Sequence, residues 1–233
     1  MPTRNFDEVT QRLATNVPGC PFPVIEKYVR DAAIEVCETT LVWKYEQPSI
    51  RLTPGLHDYE YEPPNNAEVH AFLHVTIAIA GDTPLPIDPL TLEQLYQKYP
   101  AWPDHDPDAQ SRPQSIAHLD ADHFVVAPVP DNADLYDVRM LVALKPLRTA
   151  VGMDRTTLDE IENAVMDGAL SCLYMLPDKN WTDKRAAEYH KSQFINRMSE
   201  RRARANLGAG RASMTVKMRP FARRSGGVYG RRH

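Results

Sequence analysis

His70-Ala71-Phe72-Leu73-His74-Val75-Thr76-Ile77 is the stretch that decides the fold class. Ala71, Leu73, Val75 and Ile77 fall on one face and His70, Phe72, His74 and Thr76 on the other, the period of two that belongs to a strand. On a helix, His70 and His74 would share a face at metal-binding spacing. On a strand they stand two pleats apart with Phe72 between them, so they read as surface or pairing histidines. Outward from this strand the same character continues. Ser49-Ile50-Arg51-Leu52 alternates, Thr53-Pro54-Gly55 turns the chain, and Leu56-His57-Asp58-Tyr59-Glu60-Tyr61 follows as a further strand. Residues 114–119, 123–127 and 136–144 complete the set. Most of the 20 prolines lie between Pro48 and Pro146, too many for a simple helical bundle and well placed as punctuation between short strands.

Helical periods flank this β-rich middle. Residues 5–16 read as a short helix with Phe6, Val9 and Leu13 on one face. A stronger helix is expected from Pro23 to Trp43, where Ile25, Val29, Ala32, Val36, Thr40 and Trp43 recur at spacings of three and four. Proline suits its first turn, where a missing N–H leaves nothing unsatisfied. Residues 91–99 allow two further turns. Beyond Arg155, Thr157-Leu158-Asp159-Glu160 has the form of a capping box, with Leu158, Ile161, Val165, Ala169, Cys172 and Leu176 as the buried stripe. A last helix starts near Thr182-Asp183, carries Ala187, His190, Phe194 and Met198, and fades into Arg201-Arg202-Ala203-Arg204 before Gly208. The expected fold class is α+β: N- and C-terminal helices packed as one bundle, with an inserted antiparallel β-sandwich module and an extended C-terminal arm. The expected divisions are 1–46 for the N-terminal helices, 47–150 for the β-rich module, 151–207 for the C-terminal helices and 208–233 for a basic, flexible arm.

The composition, 42% hydrophobic and 25% charged, is that of a soluble globular protein. No apolar run approaches the roughly 20 residues of a membrane span, and the N-terminal residues lack the pattern of a secretory signal. Cys20, Cys37 and Cys172 are three and unclustered, which points to buried thiols in a reducing compartment, the cytoplasm at synthesis.

Charge carries the sharpest signal. From Arg197 onward there are eleven Lys and Arg against one acid, Glu200, a local charge of +10; the preceding residues hold sixteen basic and thirty acidic residues, or −14. Such polarity marks a chain of which one part binds an acidic surface. Catalytic signatures are lacking: there is no G-x-x-x-x-G-K-[ST], G-x-G-x-x-G, H-E-x-x-H or G-x-S-x-G. Asp104-His105-Asp106-Pro107-Asp108 reads as a solvated acidic loop. His118, Asp120, Asp122 and His123 read as turn chemistry at a hairpin link. Asp159, Glu160 and Glu162 read as acids placed to suit a helix N-terminus. No nucleophile, base and orienting group come together, and neither metal nor cofactor is expected, so the role expected is non-catalytic.

The basic arm allows two functional readings. In one, Arg201, Arg202, Arg204, Arg211, Lys217, Arg219, Arg223, Arg224, Arg231 and Arg232 contact nucleic-acid phosphates, non-specifically and with strong salt dependence. In the other, Met214, Val216, Met218, Phe221, Val228 and Tyr229 anchor the arm in a groove of an acidic protein while guanidinium groups grip carboxylates. Met214, Val216 and Met218 alternate with polar residues, as a strand added to a partner's sheet edge does. A phosphate binder has little need of that interleaving, which favours the protein groove. The −14 body also repels the phosphates that the arm attracts.

In this order the segments resemble the head-to-tail connector (adaptor) proteins of tailed bacteriophages. The helix Tyr28-Val29-Arg30-Asp31-Ala32-Ala33-Ile34-Glu35-Val36-Cys37-Glu38, closed by Thr40-Leu41-Val42-Trp43, is similar to the opening helix of that family. The stretch from Leu85-Pro86-Ile87 to Leu95, with Tyr99-Pro100-Ala101-Trp102 after it, matches in the same order. So do Ser111-Arg112-Pro113-Gln114, the run Phe124-Val125-Val126-Ala127-Pro128-Val129-Pro130, and Tyr136-Asp137-Val138-Arg139-Met140. The likeness covers residues 22 to about 206. It implies a virion structural protein of the neck, a helical bundle with an inserted β-sandwich, forming a dodecameric ring with neighbouring adaptor subunits beneath the portal. It also implies tail or nozzle proteins as further partners, a C-terminal segment inserted into the portal protein, and no membrane. Arg201, Arg202, Arg204, Arg211, Met214, Val216, Lys217, Met218, Arg219, Phe221, Arg223, Arg224, Tyr229, Arg231 and Arg232 are then the expected portal-docking residues. The arm is longer and richer in arginine than the family pattern, which leaves packaged DNA open as a second contact.

Overall fold

The computed structural model describes residues 2–79, 83–102, 110–132 and 135–207. Two N-terminal elements, β1 (Thr3–Asn5) and α1 (Asp7–Ala14), lead into the long α2 (Phe22–Thr40). The β-rich middle holds β2 (Lys44–Glu46), β3 (Ile50–Arg51), β4 (Asp58–Glu60), β5 (Ala67–Ile79), β6 (Leu85–Pro86), β7 (Asp88–Leu90), the short α3 (Leu92–Lys98), β8 (Ser115–His118), β9 (His123–Ala127) and β10 (Tyr136–Pro146). The chain then returns through β11 (Gly152–Asp154) to α4 (Arg155–Tyr174) and α5 (Lys184–Leu207). The fold is α+β, as the sequence implies.

The helices form where the apolar stripes put them. Ile25, Val29, Ala32, Val36 and Thr40 of α2 are all buried. The helix ends earlier than expected, because Leu41 adopts the left-handed conformation (φ 53°) and closes it with an N–H donated to the Cys37 carbonyl. Trp43 is buried as expected but lies beyond the helix, where its carbonyl accepts from the Leu144 N–H of β10. The start of α4 also departs from expectation. Asp154 is the N-cap, accepting from the Thr157 N–H at 3.0 Å, so Asp159 and Glu160 lie past the first turn and are not capping residues. Leu173 is buried and Cys172 exposed, so only Cys20 and Cys37 are the buried thiols that the composition suggests.

The described strands form three sheets. β1 and β11 pair antiparallel, and the approach is so close that a Cβ on Gly152 would stand 2.4 Å from the Arg4 carbonyl oxygen. Only glycine leaves that space open. The larger sheet runs β2-β10-β5-β6, with β3 also on β10; the other runs β4-β9-β8-β7, its last pair parallel.

The pairing of β10 with β5 overturns the face assignment of the strand quoted first. Val142 pairs with Phe72 while its neighbour Leu141 pairs with His74, so Leu73 has no partner residue; His70 is skipped in the same way between Ala143–Ala71 and Leu144–Val69. Each skip is a β-bulge, which reverses the parity of the residues after it. Between the two bulges Phe72 therefore shares a face with Val75 and Ile77 and, partly buried, packs against the core.

Phe72 uses that face to reach the other sheet. Its ring meets Tyr61 at 6.1 Å and His118 at 6.1 Å, and Tyr61 in turn meets Phe124 at 5.2 Å. Ile116, Phe124 and Val126 thus join the main core, which runs continuously from the sheets into α1, α2, α4 and α5. The alternate residues Ala117, Val125 and Ala127 face the opposite way, under Leu95 of α3, with Trp102 donating its indole N–H to the Val126 carbonyl. α3 is closed by the capping box Thr91–Gln94.

Candidate docking surface

The basic residues of the C-terminal region start on α5, and the way α5 is held determines how they are presented. The Asp183 carboxylate accepts from the Arg185 and Ala186 N–H groups and fixes the helix start. α5 then runs antiparallel to α4. Gly168 is the crossing point: a Cβ there would lie 2.9 Å from the Phe194 ring and 3.0 Å from the Ala32 Cβ, so α2, α4 and α5 approach closely at this residue.

The preceding residue, Asp167, is buried and bridges two residues of α5. Its Oδ1 bonds His190 Nδ1 at 2.8 Å and its Oδ2 accepts from Arg197 Nε at 2.6 Å, while Tyr174 stacks on His190. A buried carboxylate held by two donors fixes both the rotation and the register of the helix that carries them. Farther along, Arg201 donates to Glu160 on α4. Arg201 is therefore bonded within its own chain, whereas Arg202 and Arg204 are exposed. Of the other expected docking residues, Arg211, Met214, Val216, Lys217, Met218, Arg219, Phe221, Arg223, Arg224, Tyr229, Arg231 and Arg232 lie outside the described residues.

The acids of α4 form a second arrangement that residue spacing did not reveal. Arg4 Nη1 donates to Asp159 at 2.6 Å and to Glu162 at 2.9 Å, and its Nε donates to Glu8 at 2.8 Å. Arg12 also donates to Glu162, and Arg155 lies 3.7 Å from Asp159. The Glu162 hydrogen bond, against some loss from burial, holds the Arg4 guanidinium well above its ordinary pKa. Asp159, Glu160 and Glu162 thus pair with arginines on three other elements and serve no cap. A lone arginine just ahead of a short amphipathic helix was the available signal.

The hairpin between β8 and β9 behaves as turn chemistry implies. Asp120 Oδ1 accepts from the Asp122 N–H at 2.9 Å and the His123 N–H at 2.8 Å, and the first of these is the main cause of its lowered pKa. His118 beside it is half-buried, with Nδ1 hydrogen-bonded to the Tyr61 hydroxyl at 2.7 Å. Burial lowers the His118 pKa below 6.5, and Asp120 only partly offsets this. The unfolded chain therefore binds a proton near pH 6.5 that the folded chain binds only at lower pH. Stability is full above that value and falls as the pH drops through the depressed pKa. In thermal melts, His118→Asn, whose amide can hydrogen-bond the Tyr61 hydroxyl as donor or acceptor, is expected to flatten this slope between about pH 7 and 5; an unchanged slope would remove His118 as its source.

His70 and His74 form no metal cluster, and among the described residues no group of three or more His, Cys, Asp or Glu is placed to hold a metal ion. No described helix is long and apolar enough to cross a membrane. One further surface was not legible in the sequence. A groove of about 510 Å³ lies between α2, α4 and α5, lined by Glu35, Cys172, Met175, Glu188, Ile195 and Met198 among others.

In this α+β body the last described helix is held against α4 at Asp167, Gly168 and Glu160 and carries the exposed Arg202 and Arg204, an arrangement of structural contacts. The family model of the SU10 adaptor protein matches residues 4–220, and the chain belongs to that family. It is thus a structural adaptor of a bacteriophage virion, which works in contact with other phage neck proteins. A comparison with curated proteins gives no match. The matched span includes residues 208–220 of the basic region and leaves out 221–233.

Proposed function

We propose that the chain is the head-to-tail adaptor that forms a ring beneath the portal and connects the capsid to the tail, with its basic C-terminal arm docked onto the portal. The observation that carries this reading is the family match, which continues past α5 into the apolar and basic residues up to Pro220. The division of labour we propose follows the residue spans 1–46 and 151–207 as a helical bundle, 47–150 as an inserted β-sandwich module and 208–233 as the arm. A head-to-tail contact repeated around an axis closes into a ring, and an arm from each subunit adds avidity to each single contact. The role is geometric rather than catalytic, carried out in the virion neck after assembly in the host cytoplasm. Arg202, Arg204, Arg211, Lys217, Arg219, Arg223, Arg224, Arg231 and Arg232 supply the charge. Met214, Val216, Met218, Phe221 and Tyr229 supply the anchors. Arg201, the first of the proposed docking residues, is bonded to Glu160.

The test is capture of the full-length chain, and of a truncation ending at Asn206, on portal rings and on duplex DNA across a salt series. Portal capture that disappears on truncation, with DNA retention that salt abolishes, is the expected result. Tight DNA binding without portal capture would overturn it in favour of a non-specific nucleic-acid-binding protein.

A further inference from the structure

We infer that the groove between α2, α4 and α5 holds residues 211–220 of the same chain while the subunit is free. The groove is lined largely by apolar side chains. Met175 and Ile195 stand 58% and 49% exposed, large fractions for apolar side chains, with Cys172 and Met198 beside them. Its volume of about 510 Å³ is in the range of sites that enclose a ligand. Its charged members are Glu35 on α2 and Glu188 on α5 against Lys191 alone, which selects an occupant that is cationic as well as apolar.

The chain supplies such a segment. No acid occurs after Glu200, and Arg211, Lys217 and Arg219 are interleaved with Met214, Val216 and Met218. Reach is sufficient. From Met198 to Leu207 the helix carries the chain about 13–14 Å past the groove, and six residues beyond 208 in extended form span about 20 Å, enough to turn back. The tether favours the chain's own segment over a neighbour's, since a short linker imposes a local concentration in the millimolar range. The occupied groove also keeps the segment's apolar residues covered until a partner competes for them. The inference does not depend on which partner that is.

Cys172 provides the readout, because it lines the groove and is exposed while Cys20 and Cys37 are buried. The rate of alkylation by uncharged iodoacetamide is measured on the full chain and on a full-length variant with Met214→Ser, Val216→Ser and Met218→Ser, at several protein concentrations. Every charge is retained in the variant, and cations held beside a thiol speed its alkylation, so a slower rate in the unaltered chain reports cover over the thiol. Alkylation is expected to be about tenfold slower in the unaltered chain, independent of concentration, as a tethered contact of modest affinity gives. Ile195→Lys in the full chain, at a half-exposed position, is expected to abolish the protection with the helical circular dichroism unchanged. Equal rates in the unaltered chain and the triple-serine variant would overturn the inference. Protection that grows with protein concentration would also overturn it, by placing a neighbour's segment in the groove. Protection that survives Ile195→Lys would show that the segment lies elsewhere.

Discussion

Arg4→Leu is expected to lower the stability of the chain by about 2–4 kcal/mol, the cost of removing one partner from a largely buried ion-pair group. The Arg4 side chain is 10% exposed and Glu162 is 14% exposed, so Glu162 loses its main donor in a place that water hardly reaches. Asp159 and Glu8, at 50% and 64%, regain hydration, and Arg12 still reaches Glu162, which keeps the cost below the upper end for a fully buried network. Urea unfolding of Arg4→Leu, Glu162→Leu and the double variant checks this. The double variant should recover part of the loss, because neither charge is then left without its partner. A loss under about 0.5 kcal/mol for Arg4→Leu would mean that the clasp is no more than a surface pair. The loss is also expected to show as early exchange of the backbone amides of β1, since Arg4 ties that strand to α4 and α1 at once.

Phe124→Ala is expected to cost about 3–5 kcal/mol, as truncation of a fully buried phenylalanine does. Its ring is 0% exposed and stacks at 5.6 Å on Tyr59 and at 5.2 Å against Tyr61, which itself touches Phe72 and His118. The cavity thus opens where β9 faces the β5–β10 pair. Phe124→Leu, which refills part of the volume, is expected to cost less than half as much. The check is chemical denaturation followed by near-ultraviolet circular dichroism, which reports on the tyrosines around the cavity. Equal losses for Phe124→Leu and Phe124→Ala would show that the ring contacts matter more than the filled volume.

The elements of this fold were largely legible, and the reason is local. Whether a segment reads as helix or strand depends on which neighbours along the chain share a face, and that is fixed by backbone geometry. Hence α2, α4 and α5, the strands β8 to β10 and the short α3 fall near where their apolar spacings place them. Tertiary context moved the ends. Leu41 turns the chain before Trp43, and Asp154 caps α4 in place of Thr157. Gly152 was readable in principle as a close backbone approach, but nothing local says that β1 is the chain it meets.

The candidate docking surface divides along the same line. The sequence by itself determined the α+β class, the −14 body and +10 C-terminal region, and the ordered segments that resemble phage adaptors. These are sums or short-range patterns, and folding cannot alter them. Only the tertiary structure decided that Phe72 faces the core, since a bulge is a property of two paired strands and not of one. It alone decided that Asp159, Glu160 and Glu162 bind arginines. Arg4 lies 158 positions from Glu162, and Arg201 lies 41 from Glu160, so no local period connects them. The groove beside α5 arises the same way. Its walls come from three helices, and an apolar residue at a helix surface is core or docking site according to what packs over it.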